Sequence, residues 1–312
     1  MEKYKLINTT TNECNGEIEL RNDEEITTRR KLSSKQKFFL NKENELATDS
    51  YLNGGYIHMF YIKNEILFND IGLKPNTITR LIYLATYLDY SIEHKKFGTL
   101  VKIGKDNKRI PMTRKDISEV MKLSKGALSE FINELKEKNI IYEINKNFYL
   151  NNTYFTKGTV KTEREQAKIY NNYTRVYIEV IRQLYCKFKP AKHKQLGYVF
   201  QLIPFMDYED CRLVKYDGLK LETKDLCIML GLSIDSGNMT KLKNELKKIT
   251  FIKSNKEYYL FARVETGDHD AWHINPLALW SGKELETKKY IARILGLNIS
   301  LDEMNSKSKA GM

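Results

Sequence analysis

The sequence is poor in the residues that build disulfide frameworks, zinc sites and rigid linkers. Its 312 residues include only four cysteines and five prolines. The cysteines (Cys14, Cys186, Cys211 and Cys227) show no C-x-x-C spacing, which indicates free thiols in a reducing compartment and argues against a zinc motif. With so few prolines, no long proline-rich linker is expected between folded units.

Long hydrophobic runs are also missing. No stretch approaches the roughly 18 apolar residues that a membrane-spanning helix needs, so no membrane partner is expected. Residues 1–25 are polar and acidic rather than lysine-rich and then apolar, which is not the pattern of a signal peptide. These absences, together with the thiols, predict a cytoplasmic protein.

Motifs for common catalytic chemistry are absent from the sequence. There is no G-x-x-x-x-G-K-[ST] loop, and no His-x-His pair of the kind that holds the metal in rolling-circle initiators. Residues 268–273 include metal-binding side chains, but the segment is interpreted as a polar loop. The acidic residues between 207 and 210 are interpreted in the same way. We therefore expect no enzyme activity, no cofactor and no metal.

Charge is the first feature that points to a partner. The chain has 52 Lys and Arg against 40 Asp and Glu, a net charge of +12. Such an excess favours polyanionic partners, most often nucleic acid, because each cation near a phosphate releases condensed counterions. A basic soluble protein without such a partner is the alternative that charge alone leaves open.

An internal repeat is the strongest pattern in the sequence. The matching segments follow one another in the same order at an offset of 109 to 111 residues, which chance would rarely produce. The clearest pairs are 115–117 with 224–226, 133–135 with 244–246, and 145–150 with 255–260.

Each copy is predicted to have the order helix, hairpin, helix, tight turn, helix, hairpin. In the first copy Pro75 opens the first helix, Thr113 caps the second and Ser124 caps the third. In the second copy Thr223 is the expected cap, and the third helix begins near Ser236. This order is typical of a helix-turn-helix with a trailing wing. The predicted fold class is mainly α with small β-hairpins (α+β), arranged as tandem winged helix-turn-helix domains.

The repeat also predicts the domain boundaries. Residues 1–55 form a polar, partly basic leader, and residues 283–312 form a C-terminal helix with a polar tail. Between them lie two units, 56–160 and 171–282. The leader contains a basic run, interpreted as a solvated segment, with an arm that tracks phosphates as the alternative. That run consists of Arg29, Arg30, Lys31, Lys35, Lys37 and Lys42.

The third helix of each copy is where DNA contacts are expected. Exposed residues near the N-terminus of such a helix read base edges, while cations on the hairpin meet phosphate. The predicted DNA-binding residues are Lys125, Ala127, Ser129, Asn133, Lys146, Ser236, Asn238, Thr240, Lys241, Lys243, Asn244, Lys247 and Lys256.

The two predicted DNA-contacting helices differ in charge. Residues 125–138 contain equal numbers of lysine and glutamate, whereas residues 236–250 contain four lysines and one glutamate. We expect the second copy to make the tighter DNA contact. The first copy then reads a second half-site or forms a protein interface.

Several segments resemble the winged-helix plasmid replication proteins of the RepL type. They are residues 56–62 (YIHMFYI), 81–90, 152–158 (NTYFTKG) and 272–282 (WHINPLALWSG). The resemblance implies a plasmid or phage origin and DNA binding connected with replication. The duplication is a departure from that pattern and is similar to plasmid initiators with two winged helices that bind iterons.

Two functions remain open from the sequence: a replication initiator or replication-control protein, and a transcriptional regulator that reads adjacent half-sites. Both predict double-stranded DNA as the partner. Host replication or transcription proteins and a second copy of the chain are further candidate partners. A third alternative keeps the repeated units as protein-interaction modules.

Overall fold

The chain divides into two compact units, Met1–Asn44 and Glu45–Met312. In the first unit, strands β1 (Glu2–Ile7) and β2 (Cys14–Leu20) pair antiparallel. Of the basic run predicted in the leader, Lys37 alone lies within the described residues. The computed structural model describes residues 2–7, 14–20, 33–34, 37, 40–41, 44–45, 48–49, 54–60, 71–90, 97–157, 173–266, 269–282 and 284–297.

Helices of the second unit lie in both copies of the repeat and in the segment that follows the second copy. The described ones are α1 (Pro75–Ala85), α2 (Arg114–Met121), α3 (Lys125–Glu137), α4 (Ile178–Lys187), α5 (His193–Gln201), α6 (Thr223–Met229), α7 (Ser236–Leu246) and α8 (Leu285–Leu297).

Strands of the second unit are short and pair antiparallel. They are β3 (Tyr56–Phe60), β4 (Phe97–Thr99), β5 (Val101–Ile103), β6 (Arg109–Pro111), β7 (Ile141–Ile144), β8 (Asn147–Asn151), β9 (Phe155–Thr156), β10 (Tyr173–Tyr177), β11 (Thr250–Lys253), β12 (Lys256–Tyr259), β13 (Phe261–Thr266), β14 (His269–Ile274) and β15 (Leu279–Trp280).

We call the described part of the first copy (residues 56–157) the first half and that of the second copy (residues 173–282) the second half. A four-stranded sheet joins the two halves. Its strand order is β15-β10-β3-β9. Strands β3 and β10 form the centre, where His58 lies opposite Arg175. Each half also adds its own closing strand at one edge, β9 beside β3 and β15 beside β10. The halves therefore occupy equivalent places in one shared sheet.

Helix α1 and its counterpart in the second half, α5, also pack directly on each other. At their crossing, a Cβ on Gly197 of α5 would lie 1.9 Å from the carbonyl oxygen of Pro75 in α1. The Thr79 hydroxyl of α1 donates to the carbonyl oxygen of His193, 2.8 Å away. Only glycine permits such a close approach of two helix backbones, so this contact fixes the spacing of α1 and α5.

Helix α4 belongs to the second half but packs against the first. The rings of Tyr83 in α1 and Tyr185 in α4 stack with centroids 3.7 Å apart. The Tyr185 hydroxyl donates to the carbonyl oxygen of Met121, 2.9 Å away at the end of α2. Buried tyrosines need such partners, because an unbonded hydroxyl in the core is costly.

The prediction of a mainly α chain made of tandem winged helix-turn-helix domains is wrong. The described residues form an α+β structure with several small antiparallel sheets. Strands from both halves complete the central sheet, and α1 packs on α5, so neither half buries its apolar residues alone. The hairpins after α3 and α7 also differ: β7 and β8 join β4 in a three-stranded sheet, whereas β11 and β12 pair only with each other among the described strands.

Several local predictions are confirmed. Thr113 caps α2 in a capping box with Asp116, Ser124 caps α3, and α7 begins at Ser236. The Thr223 prediction is wrong by one residue, because Glu222 is the N-cap of α6 and forms a capping box with Asp225. Its carboxylate takes the place that a hydroxyl has in the first half.

The structure also bears on the predictions for segment 268–273 and for the cysteines. The described part of segment 268–273 lies in strand β14 and not in a loop, while residue 268 itself is outside the described residues. The described cysteines (Cys186, Cys211 and Cys227) are free, as expected.

Candidate nucleic-acid interface

The start of α7 is held by a compact polar network. The Asp235 carboxylate accepts a hydrogen bond from the Asn238 backbone N–H at 2.7 Å, and its other oxygen accepts one from the Asn238 side chain at 2.7 Å. The first of these bonds is the main reason that the pKa of Asp235 is lowered. Asn238, a predicted base-reading residue, therefore has its amide engaged in the helix cap.

The exposed face of α7 is neutral or basic throughout. Leu242 and Leu246 are buried on the opposite side. The carboxylate in this helix, Glu245, is half-buried and accepts hydrogen bonds from Gln195 and from Lys248, the latter at 2.9 Å. Between residues 236 and 248 every exposed side chain lacks a negative charge. Of the predicted residues, the structure exposes Ser236, Thr240, Lys241, Asn244 and Lys247 and leaves Lys243 half-buried.

The exposed face of α3 is different. The Lys136 ammonium lies 2.5 Å from the Glu143 carboxylate, and the Lys138 ammonium donates to the carbonyl oxygen of Ile71, 2.5 Å away. Both lysines are thus engaged and half-buried, while Glu130 and Glu137 are exposed. The formally neutral helix therefore presents carboxylates toward solvent.

Predicted contacts in the first turns of α3 are only partly available. Lys125 and Asn133 are exposed, but Ala127 and Ser129 are half-buried. The Ser129 hydroxyl donates to the Lys125 carbonyl oxygen and accepts from the Arg114 guanidinium, both at 2.8 Å. Arg114 was not among the candidate DNA contacts predicted from the sequence. Its position at the start of the predicted second helix of the helix-turn-helix was the signal that could have identified it.

The hairpin that follows α3 and the hairpin that follows α7 each carry a lysine at or next to the tip. Asn145 and Lys146 have positive φ, and Lys146 is exposed. In the second half Ser254 and Asn255 have positive φ, and the exposed Lys256 follows them. Both tips thus place an ammonium group where it is accessible to a phosphate.

A cleft near α7 contains cations that sequence reasoning also missed. It is lined by Lys220, Lys224 and Arg263 together with the α7 residue Met239 and the buried Trp272. The Lys224 ammonium lies 3.0 Å from the Glu222 carboxylate, on the N-cap of α6. The cleft thus adds basic residues beside α7. Lys224 lies just after the N-cap of α6. The repeat alignment, which pairs it with Lys115, was the signal that could have identified it as a candidate contact.

The acidic residues near 207 stabilise a turn. The Asp207 carboxylate accepts from the backbone N–H groups of Glu209 and Asp210, at 2.8 and 3.3 Å. Within the described part of the chain, no group of three or more His, Cys, Asp or Glu side chains is arranged to hold a metal ion. Nor does any described helix combine the length and the apolar character that crossing a membrane requires.

Comparisons with known proteins add no relative. No family model, no curated protein and no solved structure matches this chain. The exposed residues of α7, the hairpin tips and the neighbouring cleft are therefore the features of the chain that bear on its function.

Proposed function

We propose that the chain is a sequence-specific double-stranded DNA-binding protein of plasmid or phage type that acts in replication initiation or replication control. The observation that carries the proposal is the exposed face of α7, which presents Thr240, Lys241, Asn244 and Lys247 with no carboxylate among them. Asparagine and threonine bond base edges, and lysine bonds guanine or phosphate. The net charge of +12 adds attraction to the duplex.

In this proposal the second half makes the principal DNA contact. Lys256 at the hairpin tip and the cations of the neighbouring cleft supply phosphate contacts beside α7. The first half reads a weaker half-site or binds a host replication protein, because Glu130 and Glu137 on α3 repel phosphate. The chain acts by binding in the cytoplasm, without chemistry of its own.

Salt dependence of duplex affinity tests the assignment of α7. Replacing Lys241 and Lys247 with alanine removes two exposed cations, and each phosphate contact contributes about 0.9 to the slope of log K against log salt. We expect the slope to flatten by about 2. The matched control replaces Lys125 and Lys146 in the first half and should change the slope less. Equal slopes for the wild type and the α7 variant would contradict the assignment.

The biological role is tested by selecting bound fragments from the genome that encodes the chain. Fragments from its own coding region or a nearby repeat array support replication. Scattered promoter fragments instead support the alternative of a transcriptional regulator. Failure to bind any duplex at low salt would refute DNA binding and favour protein-interaction modules.

A further inference from the structure

Two cations lie over the ring of Tyr90, five residues beyond the end of α1, and a third lies near one of them. The Lys157 ammonium lies 4.5 Å from the ring centroid of Tyr90, and the Arg109 guanidinium carbon lies 5.3 Å from the same centroid. Arg182 of α4 is close enough to lower the pKa of Lys157. We call Tyr90, Arg109, Lys157 and Arg182 the Tyr90 cluster.

The positive charge of the Tyr90 cluster is not balanced by the carboxylate beside it. Asp89 lies 2.7 Å from the Arg109 guanidinium and also accepts from the Tyr90 backbone N–H. Lys157 is half-buried, and within the described residues its ammonium has no hydrogen bond or ion pair. Burial, followed by the charges of Arg182 and Arg109, lowers the pKa of Lys157 to about 8.

Arg182 is fixed in place by the first half. Its guanidinium donates to the hydroxyl and to the carbonyl oxygen of Thr86, both at 3.0 Å, and lies 4.2 Å from the ring centroid of Tyr87. A guanidinium has five N–H donors, so these two bonds leave further donors to meet an anion. The cation is preorganised, which lowers the entropic cost of binding.

A second buried lysine, Lys288, illustrates a cation with a structural role, whose charge is paired inside the protein. Lys288 of α8 is almost completely buried, and its ammonium bonds both the Asp49 carboxylate and the Tyr177 hydroxyl, the latter at 2.6 Å. Its charge is therefore matched within the chain. A half-buried cation without such a match is costly to keep, and functional sites are where such costs are found.

The second copy of the repeat has no cation at the position of Lys157. The repeat alignment pairs Asp89-Tyr90 with Asp207-Tyr208 and Gly158 with Gly282, so Ser281 occupies the position of Lys157. The Ser281 hydroxyl hydrogen-bonds the Thr174 hydroxyl at 3.0 Å, which is a structural role. The cation is therefore particular to the first half and is not required by the shared fold.

We propose that the Tyr90 cluster binds the phosphate group of a nucleotide, either free or within a single DNA strand. Lys157 and the guanidinium groups of Arg109 and Arg182 bind the phosphate oxygens by charge-assisted hydrogen bonds. Tyr90 remains 46% exposed, so an aromatic surface borders the cations and is available to a base. None of these residues belongs to α7, so this proposal does not depend on the duplex contact assigned to that helix.

Calorimetric titration of the full chain tests the site with four probes: adenosine 5′-monophosphate, adenosine, inorganic phosphate and a twelve-nucleotide single strand. We expect the nucleotide or the strand to bind more tightly than adenosine and inorganic phosphate. Lys157→Ser introduces the residue of the second half and should weaken that binding about tenfold, the loss of one charge-assisted contact. Lys157→Arg should retain it.

The matched control is Lys105→Ser, which removes an exposed cation from the same hairpin as Arg109 and should leave affinity unchanged. Thermal unfolding of each variant reports whether the fold is intact. Equal affinity of the wild type and Lys157→Ser, or inorganic phosphate binding as tightly as the nucleotide, would overturn the proposal. Whichever of the free nucleotide and the strand binds more tightly identifies the source of the phosphate. Failure of the α7 variant in the duplex assay would leave these titrations unaffected.

Discussion

Helices α3 and α7 hold equivalent places in the two halves of the repeat, yet their exposed faces have opposite character. Both bury leucines at matching positions, such as Leu135 in α3 and Leu246 in α7. Facing solvent, α3 presents Glu130 and Glu137, whereas α7 presents Lys241 and Lys247. The buried face is constrained by packing, so the two copies differ mainly on the face that packing leaves free.

The largest effect is expected from separating the helices that join the halves. In Gly197→Ala the new methyl group meets the Pro75 carbonyl at 1.9 Å, so α1 and α5 must move apart. We expect a loss of about 3 kcal/mol or more in the free energy of unfolding, measured by urea denaturation. Gly126→Ala in α3 is the control, because its methyl group meets nothing within 4 Å. Equal stability of both variants would show that the crossing is not tight.

Acid should weaken the sheet where the halves meet. Burial, and then the Arg175 guanidinium, lower the pKa of His58 to about 3. The unfolded chain takes up this proton near pH 6.5, so stability falls as the pH drops below about 6.5. At about 1.4 kcal/mol per pH unit, the loss by pH 5 is about 2 kcal/mol. In His58→Leu this contribution to the slope of unfolding free energy against pH should be absent, as measured by urea titrations at several pH values. The same slope in the variant and the wild type would contradict the assignment to His58.

Reversing the exposed charges of α3 tests whether its solvent-facing side lies against DNA, as proposed for α7. Glu130→Lys with Glu137→Lys gives α3 the charge character of α7. If the first half lies against the duplex, affinity at low salt should rise about tenfold and the salt slope should steepen by about 2. Anisotropy titrations at several salt concentrations measure both. No change in either would show that α3 lies away from the DNA, in favour of a protein partner.

The smallest effect concerns the caps of the same two helices. Asp235 accepts from both the backbone and the side chain of Asn238 at 2.7 Å, whereas Ser124 accepts from the Ala127 N–H at 3.3 Å. We expect Asp235→Ala to cost about 1 kcal/mol of unfolding free energy and Ser124→Ala about half as much. Thermal unfolding compares them. A larger loss in Ser124→Ala would reverse the ranking.

Local chemistry explains which parts of the fold were predictable. Pro75, Thr113 and Ser124 mark helix starts because their backbone and side-chain chemistry acts within a few residues. The pairing of β3 with β10 joins distant parts of the chain, and no short motif encodes it. The prediction of tandem winged helix-turn-helix domains was therefore wrong, although the repeat itself was visible in the sequence.

The same distinction applies to the candidate sites. The number of lysines along α3 and α7 can be read from the sequence, but the sequence does not show which of those lysines are bonded to other residues of the chain. Lys136 and Lys138 are tied to Glu143 and Ile71, which are distant or on other elements. Likewise, Tyr90, Arg109, Lys157 and Arg182 come together only in the folded chain. Their separation along the sequence hid a cluster that no motif describes.

The shared central sheet has a consequence for biosynthesis. Strand β3 leaves the ribosome with the first half, but its neighbour β10 is synthesised only after that half is finished. At about 5–20 residues per second, β3 keeps one unpaired edge for about ten seconds. Such an edge recruits other strands and promotes aggregation. The nascent first half therefore depends on the timely arrival of the second, and its expression alone should yield insoluble protein.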